Sequence, residues 1–249
     1  MRRVIIVQAR MTSTRLPSKV LMDLAGRPML AQQLRRLKRC ATADEIVLAT
    51  TINATDDPVV ALARQEAVSW FRGSEHDVLS RYVGAAREQR ADVVVRVTAD
   101  CPLIDPEVLD RVVNELTDHQ SVCDYASNVE ERTFPRGLDV EAFFFDTLLR
   151  ADRMSRSVLA REHVTPLIYA EQPNLFLRRS VTDSRNGADL RWTVDTPADL
   201  QLVRTLYEHL GLETCMLNYG EMLAHVRAHP ELTQMNAGIE TWQPTPCNT

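Results

Sequence analysis

Apolar residues along this chain of 249 residues fall into short unbroken runs, separated by stretches with helical spacing. Val4, Ile5, Ile6 and Val7 make the first run. A run of that length bounded by polar residues reads as a strand buried on both faces. Similar runs predict strands over 45–51, 68–71 and 92–97, and later ones over 123–128, 140–145, 175–181 and 190–194. Helical spacing fills the gaps. Pro28 opens a helix with Met29, Leu30, Leu34 and Leu37 on its apolar face, and with Arg35, Arg36, Lys38 and Arg39 on a solvated side. Asp57-Pro58 is read as cap and first turn of a helix reaching Ala67, and Asp77 as the cap of a helix over 78–90 in which Arg81 is an ordinary helix residue. Asp105-Pro106 starts one over 106–116, and Thr196-Pro197 starts one ending near Leu210, with Asp199 at the capping-box position. A last helix covers 219–228, and the residues from about 230 to 249, with Pro230, Pro244 and Pro246, read as an irregular tail. Strands alternating with helices predict an α/β fold of three layers, α/β/α, around a mostly parallel sheet.

In such a sheet, loops leaving the carboxyl ends of the strands are where ligands bind. Three of those loops carry chemistry. The first, after Val7, holds Arg10, Arg15 and Lys19 with Thr12, Ser13 and Thr14 between them. Cations, hydroxyls and backbone N–H groups together suit a polyphosphate, although a solvated surface loop has the same composition. The second is Thr98-Ala99-Asp100-Cys101-Pro102. Asp105 is accounted for as a helix cap, whereas Asp100 has no capping duty and suits a Mg²⁺ ligand, a role in which one or two carboxylates work with substrate phosphates. Cys101 is read as packing, because no base can be placed beside it. The third is Asp195, left over between the strand ending at Val194 and the cap at Thr196.

A net charge of −5 and a pI near 5.7 argue against broad nucleic-acid binding and make the basic loop stand out. Five cysteines, at 40, 101, 123, 215 and 247, form no metal-ligand spacing, and their odd number points to a reducing cytoplasm. No run approaches a membrane span. The chain reads as a single domain over 1–249.

Gln8-Ala9-Arg10, Ser13-Thr14-Arg15-Leu16-Pro17 and Lys19 resemble the signature loop of the sugar cytidylyltransferases, which include the acylneuraminate and 3-deoxy-manno-octulosonate enzymes. The likeness is nearest to the spore coat polysaccharide biosynthesis protein F branch, with Ser18 where that branch often has Gly. The resemblance implies the nucleotide-diphospho-sugar transferase fold, a Rossmann-like one. It also implies Mg²⁺-dependent transfer of a nucleotidyl group from CTP to a sugar, an acidic one, in a cytoplasmic homodimer serving surface polysaccharide synthesis. By the same resemblance Gln8, Ala9, Arg10, Arg15 and Lys19 hold the nucleotide, with Arg72 and Ser74 near the base. Arg10, Lys19 and Asp100 are catalytic, and Asp100 and Asp195, the latter in a segment like the family's VDTPEDL, bind the metal. Arg136, Asp139 and Glu141 in PRGLDVE, the two acids sharing one face of an extended segment, and His163 in EHVTP, face the acceptor sugar. Gly137 lets backbone come close to a ligand. A glycosyltransferase of the same fold and a catalytically silent nucleotide-binding partner remain alternatives. The first lacks its Asp-x-Asp at Thr98-Ala99-Asp100, and the second sits poorly with the joint presence of Arg10, Lys19, Asp100 and Asp195.

Overall fold

Val4, Ile5, Ile6 and Val7 are all 0% exposed, which requires a strand with neighbours on both edges and helices on both faces. The computed structural model, which describes residues 1–239, provides both. Its strands are β1 (Arg3–Gln8), β2 (Asp23–Leu24), β3 (Arg27–Pro28), β4 (Glu45–Thr51), β5 (Ser69–Gly73), β6 (Val93–Thr98), β7 (Tyr125–Ser127), β8 (Glu141–Phe144) and β9 (Arg178–Ser180). Its helices are α1 (Met29–Leu37), α2 (Asp57–Gln65), α3 (Val78–Glu88), α4 (Pro106–Asp118), α5 (Phe145–Met154), α6 (Val158–His163), α7 (Pro197–Leu210), α8 (Tyr219–Ala228) and α9 (Pro230–Gln234). Seven strands form one sheet in the order β5-β4-β1-β6-β8-β7-β9. β5, β4, β1 and β6 run parallel, while β8 is antiparallel to both β6 and β7.

Alternation along the strands builds two cores. Ile5 and Val7 of β1 pack with Leu30 and Leu34 of α1, Leu62 of α2 and Leu109 and Val112 of α4. Val4 and Ile6 pack with Leu79, Tyr82 and Val83 of α3 and Leu148 of α5. A third cluster, including Leu16, Leu24, Phe134, Trp192, Val203 and Tyr219, seats α7 and α8 beside the first loop. No described helix is long and apolar enough to cross a membrane, and the four described cysteines are unbridged.

The structure departs from the sequence reading in several places. Residues 190–194 form no strand beyond one bridge, Arg136 to Arg191. Their backbone groups pair instead with five separate partners, Gly187, Arg136, Asn236, Asp100 and Lys19. Phe145 begins α5 rather than ending a strand. Residues 230–234 are helical, and the rest of the expected tail, 240–249, lies outside the described residues. Arg36 is not solvated: it is 1% exposed, with Nε donating to Ile104 O at 2.6 Å and Nη2 to Leu217 O at 2.8 Å. Asp56, rather than Asp57, is the residue preceding α2. Asp139 lies outside β8, so it and Glu141 do not share a strand face.

Candidate active site

Gln8 and Thr98 face each other in register at the carboxyl ends of β1 and β6. Both chains then leave the sheet, so the first loop and the Asp100 loop start side by side. The first loop is pinned at its two ends. Asp56, 1% exposed, accepts the Met11 N–H at 2.7 Å and also the Thr51 N–H and hydroxyl. Ser18 N–H closes the loop onto Met11 O at 2.9 Å. Ser18 sits in the left-handed region at φ 60°, the conformation in which Gly would be unstrained. The short 3₁₀ turn that follows, Lys19–Leu21, aims Lys19 inward. Among the described residues the backbone N–H groups of Thr12, Ser13, Thr14 and Arg15 carry no hydrogen bond.

The Asp195 segment arrives from the other side. Asp100 O accepts the Val194 N–H at 2.8 Å and the Thr193 hydroxyl at 3.2 Å, which brings positions nearly a hundred residues apart into contact. Lys19 lies between the two acids. Its Nζ donates to Asp100 Oδ2 at 3.0 Å, to Asp195 Oδ1 at 2.9 Å and to Val194 O at 2.8 Å. The remaining carboxylate oxygens are held by the scaffold. Thr98 Oγ1 donates to Asp100 Oδ1 at 2.5 Å, and Arg191 Nη2 donates to Asp195 Oδ2 at 2.7 Å. Burial opposes the charge on Lys19, but the two carboxylates outweigh it and raise its pKa above the ordinary lysine value. Burial likewise opposes the charge on Asp100, and Lys19 with the Thr98 hydroxyl holds its pKa below the usual carboxylate value.

Two further cations stand at the rim. Arg15, half exposed, reaches Asp195 Oδ1 at 2.9 Å. Arg10 makes a long pair with Glu75 Oε1 at 3.5 Å, while Glu75 also accepts from Thr12 and Asn53. Gln8 Oε1 is buried and has no partner among the described residues. Ala9 is tied by its N–H to Ala49 O. Arg72 and Ser74 lie along the same edge of the sheet but have structural occupations. Arg72 donates to Thr51 O, Asn53 O and Asp57, and Ser74 Oγ accepts the Asp77 N–H. Asp77 caps α3 as expected. Arg81, by contrast, is buried, with Nη1 on Ser74 O.

The acceptor-side residues separate into two groups. Arg136 lies beside Arg191, with Arg132 and Asp139 close to it. Arg132 forks onto Asp139 at 2.6 and 3.1 Å, and Arg136 bridges to Arg191 through backbone. Among the described residues the Arg136 guanidinium has no hydrogen-bond or ion-pair partner, and burial, Arg132 and Arg191 lower its pKa. Gly137, at φ +108°, lets backbone meet backbone rather than ligand: a Cβ there would lie 2.5 Å from Thr193 N. Glu141 is 4% exposed and enclosed by Arg96, the Tyr125 hydroxyl and Thr165 Oγ1, which leaves it little surface to offer a substrate. His163 ends α6, and burial lowers its pKa. Cys101 is 2% exposed and burial pushes its thiol well above the ordinary value, which rules out a resting thiolate.

Sequence reasoning missed Arg191, Glu75, Asp56 and Arg132. Asp56 and Glu75 act on residues far away in the chain, and Arg132 and Arg191 on acids a few residues further along an irregular stretch, so no periodic pattern marks them. Asp105 does cap α4, through Glu107 N–H and Val108 N–H, but its other oxygen also takes the Tyr219 N–H and so locks α8 in place.

Residues 4–224 match the cytidylyltransferase family model. A protein of Methanocaldococcus jannaschii described as uncharacterized is 37% identical over 238 residues, covering 94% of this chain and 94% of its own. The spore coat polysaccharide biosynthesis protein SpsF of Bacillus subtilis is 30% identical over 233 residues, covering 91% of this chain and 94% of its own. Among solved structures, a cytidylyltransferase from Leptospira borgpetersenii superposes with a TM-score of 0.89 at 31% identity, over 98% of this chain and all of that one. Matches of this extent, in sequence and in fold, show that the chain whose basic loop and two acids gather at the carboxyl edge of the sheet belongs to the cytidylyltransferase family, as a nucleotidyltransferase.

Proposed function

We propose that the protein transfers CMP from CTP to an acidic sugar, with Mg²⁺, giving a CMP-sugar and pyrophosphate for surface polysaccharide synthesis. The observation that carries this reading is the convergence of Lys19, Asp100 and Asp195, with Arg10 and Arg15 at the rim. The sugar hydroxyl bonds to the α-phosphorus as the bond to pyrophosphate breaks. Arg10, Arg15, Lys19 and the unengaged N–H groups of 12–15 receive the phosphates and stabilise charge growing on the leaving group. Gln8, Ala9, Arg72 and Ser74 border the nucleotide, and Gln8 Oε1, without a partner among the described residues, is an acceptor suited to an amino group. No nucleophilic side chain is needed, in keeping with the protonated, buried Cys101.

The donor set suits a hard divalent cation. Among the described residues no group of three or more acidic, His or Cys side chains could hold a metal. Asp100 and Asp195, however, each present one oxygen within 3.0 Å of a common point, the Lys19 nitrogen, and Mg²⁺ takes only one or two carboxylates when phosphates complete its shell. Asp100 and Asp195 would hold it, and it would supply positive charge to offset that of the phosphates. The acidic acceptor rests on Arg136, whose guanidinium has no hydrogen-bond or ion-pair partner among the described residues and which lies near Arg132, Asp139 and Arg191, a group suited to a carboxylate. Asp139 and His163 border that acceptor side, and Glu141 supports it from beneath. A homodimeric, cytoplasmic enzyme belongs to the same reading, the former checked by light scattering.

Pyrophosphate release, measured for four nucleoside triphosphates against neutral sugars and sugar acids, with and without EDTA, tests it. Release requires CTP, a sugar acid and free metal. Equal rates with UTP, with neutral sugars, or in EDTA would each sink the corresponding element, and Arg136→Ala should raise KM for the acid selectively.

A further inference from the structure

The ammonium of Lys19 sits where a divalent cation would have to sit. All three of its protons are used, on Asp100 Oδ2, Asp195 Oδ1 and Val194 O, and its side chain is 10% exposed. Its two carboxylate contacts are the only oxygens of those groups not already committed to Thr98 and Arg191, so an incoming ion and Lys19 must compete for them. The charges point the same way. Asp195 is shared by Lys19, Arg15 and Arg191, with Arg191 also on Asp199. Lys19, Arg15 and Arg191 thus balance Asp100, Asp195 and Asp199, and a further double charge would gain no net attraction while those cations stay in place.

We infer that Lys19 is a placeholder for the metal: it bars the ion from the free protein and releases Asp100 and Asp195 only when a triphosphate draws Lys19 and Arg15 onto its own oxygens. This rests on the metal-dependent reading above and adds an order to it. Metal and triphosphate then bind with positive coupling, each raising affinity for the other by the same factor. A free protein loaded with metal alone, which could bind diphosphate products or stray anions, is avoided by the fold itself.

The test is binding of Mn²⁺ alone, without nucleotide, followed by electron paramagnetic resonance on the full chain. Wild type, Lys19→Met, Asp100→Asn and Lys19→Met/Asp100→Asn are compared. Lys19→Met should bind Mn²⁺ at least about tenfold more tightly than wild type, and adding Asp100→Asn should remove the gain. Equal affinity in wild type and Lys19→Met, both lost with Asp100→Asn, overturns the inference and leaves the metal reading standing. Absence of any Asp100-dependent Mn²⁺ binding, with CTP present as well as absent, overturns the metal reading and the inference together. Should Lys19→Met fail to fold, wild-type melting decides. Tm should rise with CTP in EDTA and stay unchanged with Mn²⁺ alone. A rise with Mn²⁺ alone that Asp100→Asn abolishes overturns the inference.

Discussion

Two clusters in this protein pair a strong base with carboxylate, and they differ in how many acids each base must serve. Beneath α5 and α6, Arg96 of β6 meets Glu141 of β8 in register, and the remaining valences of Glu141 are filled by the hydroxyls of Tyr125 and Thr165. One charge answers one charge, and neutral donors complete the set. At the sheet edge Lys19 serves two acids, Asp195 serves three bases, and Arg15 and Asp100 keep 50% and 24% of their side chains exposed. The first arrangement is closed, with both Glu141 oxygens engaged. The second is held together by contacts that an anion or a cation can replace. Buried pairs resist removal of one partner because the other is left as an uncompensated charge, whereas a shared, half-open cluster can redistribute.

Glu141→Ala should break the closed cluster at the greatest cost, about 3–5 kcal/mol in urea unfolding, because Arg96 then lies buried without its acid. A loss under about 1 kcal/mol would mean the pair is hydrated after all. Gly137→Ala comes next. At φ +108° with a Cβ pressed to 2.5 Å from Thr193 N, it should cost about 2–3 kcal/mol. It should also depress turnover by displacing Arg191 and Asp195, while circular dichroism stays native. Unchanged turnover would show the 190–195 segment to be positioned by other contacts.

Asp105→Asn should cost about 1–2 kcal/mol, more than a cap replacement alone, because an amide N–H₂ would face the Tyr219 N–H. A neutral result would reduce Asp105 to a simple cap. Asp100→Asn, in the open cluster, should cost only about 1 kcal/mol, since Lys19 keeps Asp195 and Val194 O, and yet remove metal-dependent turnover. Equal stability losses for Asp100→Asn and Glu141→Ala would erase the contrast between the clusters. Smallest of all, Ser18→Gly should stabilise by up to about 1 kcal/mol, by relieving a left-handed residue at φ 60°. Destabilisation would point to a role for the Ser18 hydroxyl.

Legibility followed the range of the interactions. The parallel core, the caps at Asp77, Asp105 and Thr196, and the capping box with Asp199 all depend on neighbours a few residues away, and each was readable. Asp100 and Asp195 stand out in the same way, because a cap leaves a local signature and an acid without one can be noticed. Arg36 and Arg81 misled for the opposite reason. Their charge predicts solvent, and only carbonyls brought to them by the fold make their burial tolerable.

The sequence by itself determined the alternating layers, the basic loop at the first strand end and the two acids without capping duties, since hydrophobic period and cap chemistry act locally. Only the tertiary structure decided that residues 190–194 leave the sheet to bind Asp100 O, that Gly137 makes room for them, and that Lys19 takes the point between the two carboxylates. Those are contacts between segments far apart in the chain, and their energies depend on burial and charge balance that no local pattern records.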